Sequence, residues 1–167
     1  LEKSKDRNLH VVSHFDTDGI TSAAILTQTL TRLESQFSTK IVKALDQKVI
    51  DELPDNKLIL ILDLGSGSIE QLGNTNKEIF ILDHHEISSD TIPSNITIFN
   101  PHLIDADNFC TAELAYLFAK SISEENKDLA HLAILWMIGD LMERTLNPIR
   151  NQIIKDSHVI VKKGLLI

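Results

Sequence analysis

Residues 9–19 read LHVVSHFDTDG. A run of apolar and β-forming residues stops abruptly at His14, Asp16 and Asp18, potential ligands at alternate positions, and a glycine follows. A strand that buries itself has no packing reason to finish in two carboxylates and an imidazole. The next segment, GITSAAILTQTLTRLESQF (19–37), places Ile20, Ala23, Ala24, Leu26 and Leu30 on one helical stripe, so a crossover helix is predicted after the first strand.

The alternation recurs along the chain as KIVKAL (40–45), KLILILDLG (57–65), SIEQLG (68–73) and EIFILDHHE (78–86). Runs that are apolar throughout, such as Leu58–Leu62, indicate strands buried on both faces. A short strand ITIFN (96–100) precedes the breaker NPH (100–102). TAELAYLFAKSI (111–122) and LAHLAILWMIGDLME (129–143) then read as helices joined by the polar SEENKD (123–128). The predicted fold class is α/β, a mainly parallel sheet flanked by helices, with a helical C-terminal third.

Length and composition bound the chain further. At 167 residues and 43% hydrophobic, it is expected to form a single domain over residues 1–167 with one sizeable core. No apolar run approaches the ~20 residues of a bilayer span, and LEKSKDRN at the N-terminus has no secretory pattern, so no membrane partner and a cytoplasmic location are expected. Cys110 is the single cysteine, which excludes disulfides and thiolate metal sites within the chain. The first residue is not methionine and VIVKKGLLI (159–167) reads as a strand-like run cut short, so the sequence is read as a fragment of a longer protein. The net charge of −8 argues against a nucleic-acid surface spread over the whole chain. Between 144 and 163, however, Arg144, Arg150, Lys155, Lys162 and Lys163 face one acid, Asp156, a bias read as a solvated helix face in preference to a binding patch.

In an open parallel sheet, ligands gather outside the carboxyl ends of the strands. Those ends carry His14, Asp16 and Asp18 in the first strand, Asp63 in the second apolar run, and Asp83, His84 and His85 in the third. So many acids together require compensating cations, because a charge withdrawn from water must be paired or coordinated. Carboxylates with imidazoles and no thiolate suit Mn²⁺, Mg²⁺ or Zn²⁺, and a carboxylate such as Asp63 can bridge two ions. Two divalent ions ~3.5–4 Å apart stabilise the attacking and leaving oxygens of a displacement at phosphorus, which points to hydrolysis of a phosphate ester.

Each element also has a structural reading. An Asp after a strand is commonly a helix cap or turn residue. DTDG resembles part of a calcium loop, but the remaining acids of an EF-hand are missing. Asp140, in the apolar WMIGDLME (136–143), is read as a metal ligand ahead of a partly exposed capping acid beside Gly139. Trp136 and its apolar neighbours read as core.

Collected in order, HFDTDGITSAAIL (14–26), LDLGSG (62–67), LDHHE (82–86) and IGDLME (138–143) resemble the four motifs of the DHH phosphoesterase superfamily, named for the tripeptide seen here as Asp83-His84-His85. The resemblance spans nearly the whole chain and extends to NPH (100–102) and CTAELAYLFA (110–119) of the RecJ-like exonucleases of archaea. It implies one ion held by His14, Asp16 and Asp63 and a second by Asp18, Asp63, His84 and Asp140, with Mn²⁺ or Mg²⁺ as the metal. It also implies that His85 faces the scissile phosphate while Asp83 orients a neighbouring histidine; His102 is either near the site or an ordinary loop histidine. The implied function is a single-strand exonuclease on DNA or RNA that releases 5′-mononucleotides, with single-stranded nucleic acid and replication proteins such as GINS as partners. A second domain that grips substrate in such enzymes is not seen in these residues. The alternatives are a nanoRNase or 3′,5′-bisphosphate nucleotidase, a cyclic dinucleotide phosphodiesterase, and a Cdc45-like scaffold without catalysis.

Overall fold

The computed structural model describes residues 8–104, 109–139, 146–158, 161–162 and 165–166. Strand β1 (Leu9–His14) leads into α1 (Thr17–Arg32), and β2 (Phe37–Val42), α2 (Gln47–Asp51), β3 (Leu58–Leu62), α3 (Ile69–Gly73), β4 (Ile79–Leu82) and β5 (Ile96–Phe99) follow. The five strands form one parallel sheet in the order β2-β1-β3-β4-β5. The chain then continues as α4 (Thr111–Ile122), a 3₁₀ segment (Glu124–Leu129), α5 (Ala130–Gly139) and α6 (Pro148–Ser157).

The two-residue alternation of each strand divides its apolar residues between opposite faces. Leu9 and Val11 of β1 pack with Leu58 and Leu62 of β3 against Ala23, Leu26 and Leu30 of α1. On the other face, Val12, Ile59, Ile61, Ile79 and Ile81 meet Ile50 and the α3 residues Ile69 and Leu72. Helices therefore cover both faces, and the runs between Leu58 and Leu82 are apolar throughout for that reason. A second layer, α4 and α5, packs on α1 around Ile25, Tyr116, Ala133 and Met137. No helix among the described residues is long and apolar enough to cross a membrane.

Three departures from the sequence reading have physical causes. The polar segment 123–128, expected as a plain connection, winds into a 3₁₀ turn in which Asn126 is buried and donates to the Ala119 carbonyl at 2.8 Å. The expected strand in 159–167 is instead a short antiparallel pair, β6 (Val161–Lys162) with β7 (Leu165–Leu166). Arg150, placed by sequence on a solvated face, is 2% exposed. Its Nε donates to the buried Glu113 at 2.6 Å and its guanidinium lies 5.4 Å from the Trp136 ring centroid, so the basic bias of this region is partly internal. Arg144 and Lys163 lie outside the described residues. Trp136 is buried, as its apolar surroundings in the sequence suggest.

Candidate metal centre

The strand order reverses between β1 and β3, because β2 lies on one side of β1 and β3 with its successors on the other. At such a switch point the connections leave in opposite directions and open a crevice above the strand ends. His14, Asp16 and Asp18 leave β1 at that crevice, Asp63 leaves β3, and Asp83, His84 and His85 leave the neighbouring β4.

Local structure holds each group in place. Asp16 is the N-cap of α1: its Oδ1 accepts from the Gly19 amide at 2.9 Å, while Oδ2 stays 2.8 Å from His14 Nδ1. The capping reading of this Asp is thus met by Oδ1, and Oδ2 is left beside His14. Gly19 is needed for a close approach, since a Cβ there would stand 2.4 Å from the His14 carbonyl oxygen. Asp18 accepts from the amides of Thr111 and Ala112 at 2.9 and 2.7 Å, so the N-terminus of α4 is tied to the cluster. That terminus is itself fixed by a capping box between Cys110 and Glu113.

Asp63, 1% exposed, sits in the left-handed region at φ 58°, a conformation that Asp and Asn adopt more readily than most residues. The Thr111 hydroxyl donates to its Oδ1 at 3.0 Å. His84 Nε2 lies 3.5 Å from Asp63 Oδ1 and 3.6 Å from Asp18 Oδ2. Asp83 is buried and accepts from the amides of Ser66 and His84 and from His85 Nδ1, the last at 2.7 Å. Burial opposes its ionisation, but these bonds, that to the His85 ring foremost, outweigh it and hold the carboxyl at about 2. The His85 ring is raised correspondingly, first by its bond to Asp83. His84 and His85 stack obliquely with centroids 4.4 Å apart.

The donor set fits a divalent cation. His14 Nδ1 and Asp63 Oδ2 are both buried, 3.5 Å apart, and neither has a hydrogen-bond partner; the 2.8 Å approach of Asp16 to His14 lacks hydrogen-bond geometry. Burial, followed by the charges of Asp18 and Asp16, pushes the Asp63 carboxyl up to about 10. Such crowding is relieved by a cation. His14, Asp16 and Asp63 present one group of ligand atoms within 4.8 Å of one another, and Asp63, His84 and His85 present another. Asp63 belongs to both.

Of the residues singled out in the sequence, Asp140 lies outside the described residues. Its predecessor Gly139 packs on Thr17, between Asp16 and Asp18, where a Cβ would meet the Thr17 methyl at 2.9 Å. His102 touches the site through backbone: its Nε2 is 3.1 Å from the His84 carbonyl oxygen. Sequence reasoning missed Asn100 and Thr111. Asn100 is buried, donates to Ser66 Oγ and to the His85 carbonyl at 2.9 and 2.8 Å, and so ties the β3 and β4 loops together. The only sequence signal for either was its place within NPH or CTAEL, which reads as turn or helix start.

A parallel α/β sheet with a carboxylate and imidazole cluster at its switch point defines a class, and comparison with known proteins narrows it. Residues 8–139 match the DHH family, N-terminal domain, and the chain belongs to that phosphoesterase family. An uncharacterized protein of Methanocaldococcus jannaschii is 33% identical over 159 residues, covering 89% of this chain and 36% of its own length. The chain thus spans about a third of the curated relative it matches. The fold is RecJ-like: it superposes on exonuclease RecJ bound to manganese with a TM-score of 0.75, at 21% identity over 93% of this chain and 44% of that one. RecJ in complex with Mn²⁺ from Thermus thermophilus gives 0.72 at 22% identity, over 93% of this chain and 25% of that one. CDC45 from Entamoeba histolytica gives 0.66 at 17%, over 96% of this chain and 36% of that one.

Proposed function

We propose that this chain carries the catalytic centre of a divalent-metal-dependent phosphodiesterase, a RecJ-like exonuclease that hydrolyses single-stranded DNA or RNA to 5′-mononucleotides. The observation that carries the reading is the facing pair of buried ligand atoms without a hydrogen bond, His14 Nδ1 and Asp63 Oδ2, within a cluster contributed by three adjacent strand ends. A buried polar atom left without a hydrogen bond costs about 1–3 kcal/mol, which a bound cation would offset.

In this reading His14, Asp16 and Asp63 hold one Mn²⁺ or Mg²⁺, and Asp18, Asp63, His84 and Asp140 hold a second. Bound there, the ions supply charge stabilisation at phosphorus and a lowered pKa for water. The rest is done by side chains of the chain itself. Asp83 is the positioning residue: by accepting from His85 Nδ1 it fixes the ring and leaves Nε2 to face the scissile phosphate. His85 is more than half exposed, as a group that meets substrate must be. Thr111 holds the Asp63 carboxylate in one orientation, and Asn100 keeps the His85 loop against Ser66.

The test is hydrolysis of a short labelled single strand with added Mn²⁺, wild type against Asp63→Asn and His85→Ala. Loss of cleavage in both, with metal binding lost only in the first, is the expected result. A wild type that binds Mn²⁺ and cleaves no phosphodiester refutes the exonuclease assignment. A wild type that binds no metal refutes catalysis altogether and leaves the non-catalytic, Cdc45-like alternative.

A further inference from the structure

Strands β1 and β2 run parallel with His14 opposite Val42, so the next residues, Phe15 and Lys43, leave the sheet side by side at the mouth of the site. Phe15 stands between two members of the cluster, His14 and Asp16, yet the residue is 49% exposed and its ring meets the His14 ring edge-on at 4.9 Å. Lys43 Nζ lies 5.9 Å from the Phe15 centroid, at the outer limit of a cation–π contact, and its ammonium makes no ion pair among the described residues. Lys43 is also the single Lys or Arg among the residues lining a cleft of about 630 Å³ that holds His14, Asp63, Asp83 and His85.

An isolated exposed Phe is unremarkable on any protein surface. An exposed Phe in contact with His14 of the cluster, beside an unpaired ammonium that lines the cleft of carboxylates and imidazoles, pairs a flat apolar ring with an anion-binding group. A base linked to a phosphate has those same two parts. We propose that Phe15 and Lys43 form a nucleotide subsite, in which a nucleobase stacks on the Phe15 ring while the adjoining phosphate of the same strand meets Lys43. The subsite rests on the phosphodiesterase reading above and deepens it. It supplies a reason for single-strand selectivity, because a base must leave its duplex stack before it can lie on Phe15. It also supplies local positive charge where a polyanion approaches a chain of net charge −8.

The experiment compares the wild type with Phe15→Ala, Phe15→Trp and Lys43→Met on two labelled single strands: an ordinary oligonucleotide, and one abasic at the two nucleotides of each end. Mn²⁺ titration alone first confirms that each variant keeps its metal centre. Phe15→Ala is expected to raise KM on the ordinary strand about tenfold with kcat unchanged, to leave the abasic strand unaffected, and to be rescued by Phe15→Trp. Lys43→Met is expected to raise KM on both strands and to flatten the salt dependence by a slope of about 0.7, the share of one phosphate contact. Equal effects of Phe15→Ala on both strands, or none on either, overturn the subsite while the hydrolase reading stands. Cleavage of neither strand by the metal-loaded wild type overturns the parent reading, and the subsite with it.

Discussion

Asp63 Oδ2 and His14 Nδ1 face each other across 3.5 Å in the interior, and neither has a hydrogen bond. This juxtaposition comes from topology: β1 and β3 pair directly, and the first turn out of each strand delivers its polar side chain to the same crevice. Buried polar atoms left without hydrogen bonds are the kind of group that a divalent cation can satisfy.

The first consequence concerns stability without metal. The Asp63 carboxyl is raised to about 10, so between its ordinary value of 3.8 and about 10 the folded chain holds a proton that the unfolded chain releases. Stability of the metal-free protein therefore falls as pH rises through that window. Asp63→Asn imitates the protonated acid and tolerates the positive φ, so it is expected to raise the melting temperature in chelator at pH 8 and to reduce the pH slope. Addition of Mn²⁺ is expected to stabilise the wild type only. Thermal melts of both proteins across pH, with chelator and with Mn²⁺, check this.

A second pH effect is separate from the metal centre. Burial raises the Asp156 carboxyl, but its bonds to Lys120, Tyr116 and Gln152 prevail and hold it at about 2. A depressed carboxyl contributes stability above its unfolded value, lost as pH falls toward the folded one. The contribution of this network is expected to be complete above pH ~4 and gone near pH 2. Urea denaturation of wild type and Asp156→Asn should differ at pH 6 and converge at pH 2.

The buried Glu113–Arg150 pair gives a third expectation. Both side chains are almost fully enclosed, so Arg150→Met leaves an unpaired carboxylate and is expected to cost about 3–5 kcal/mol. Glu113→Gln with Arg150→Met should recover part of that loss. Urea midpoints of the single and double variants measure it.

Gly19→Ala is the fourth. The added methyl would collide with the His14 carbonyl and force β1 away from α1, at a cost of about 1–3 kcal/mol. Because His14 and Asp16 flank that contact, weaker Mn²⁺ binding is expected along with the lower melting temperature. Calorimetry and thermal melts on the same samples read both.

Most of the fold is legible in the sequence because it is written in local pattern. Leu58–Leu62 reads as a strand buried on both faces because helices cover both sides of it, and the acids after β1, β3 and β4 share one edge because parallel strands point the same way. Arg150 was misread because its partner Glu113 lies 37 positions away, and nothing local announces a buried ion pair. Thr111 and Asn100 were missed for the same reason: each acts on a group delivered by a different strand, Asp63 and His85. Asp16 shows the converse limit, since sequence offered cap and ligand as alternatives while one carboxylate has an oxygen for each.

The most direct test of the metal-centre assignment is a calorimetric titration of Mn²⁺ into the wild type and Asp63→Asn, in two buffers of different ionisation enthalpy. Two ions bound by the wild type, with net proton release, and a loss of binding in Asp63→Asn are the expected result. No binding at millimolar Mn²⁺, or equal binding by both proteins, would contradict it.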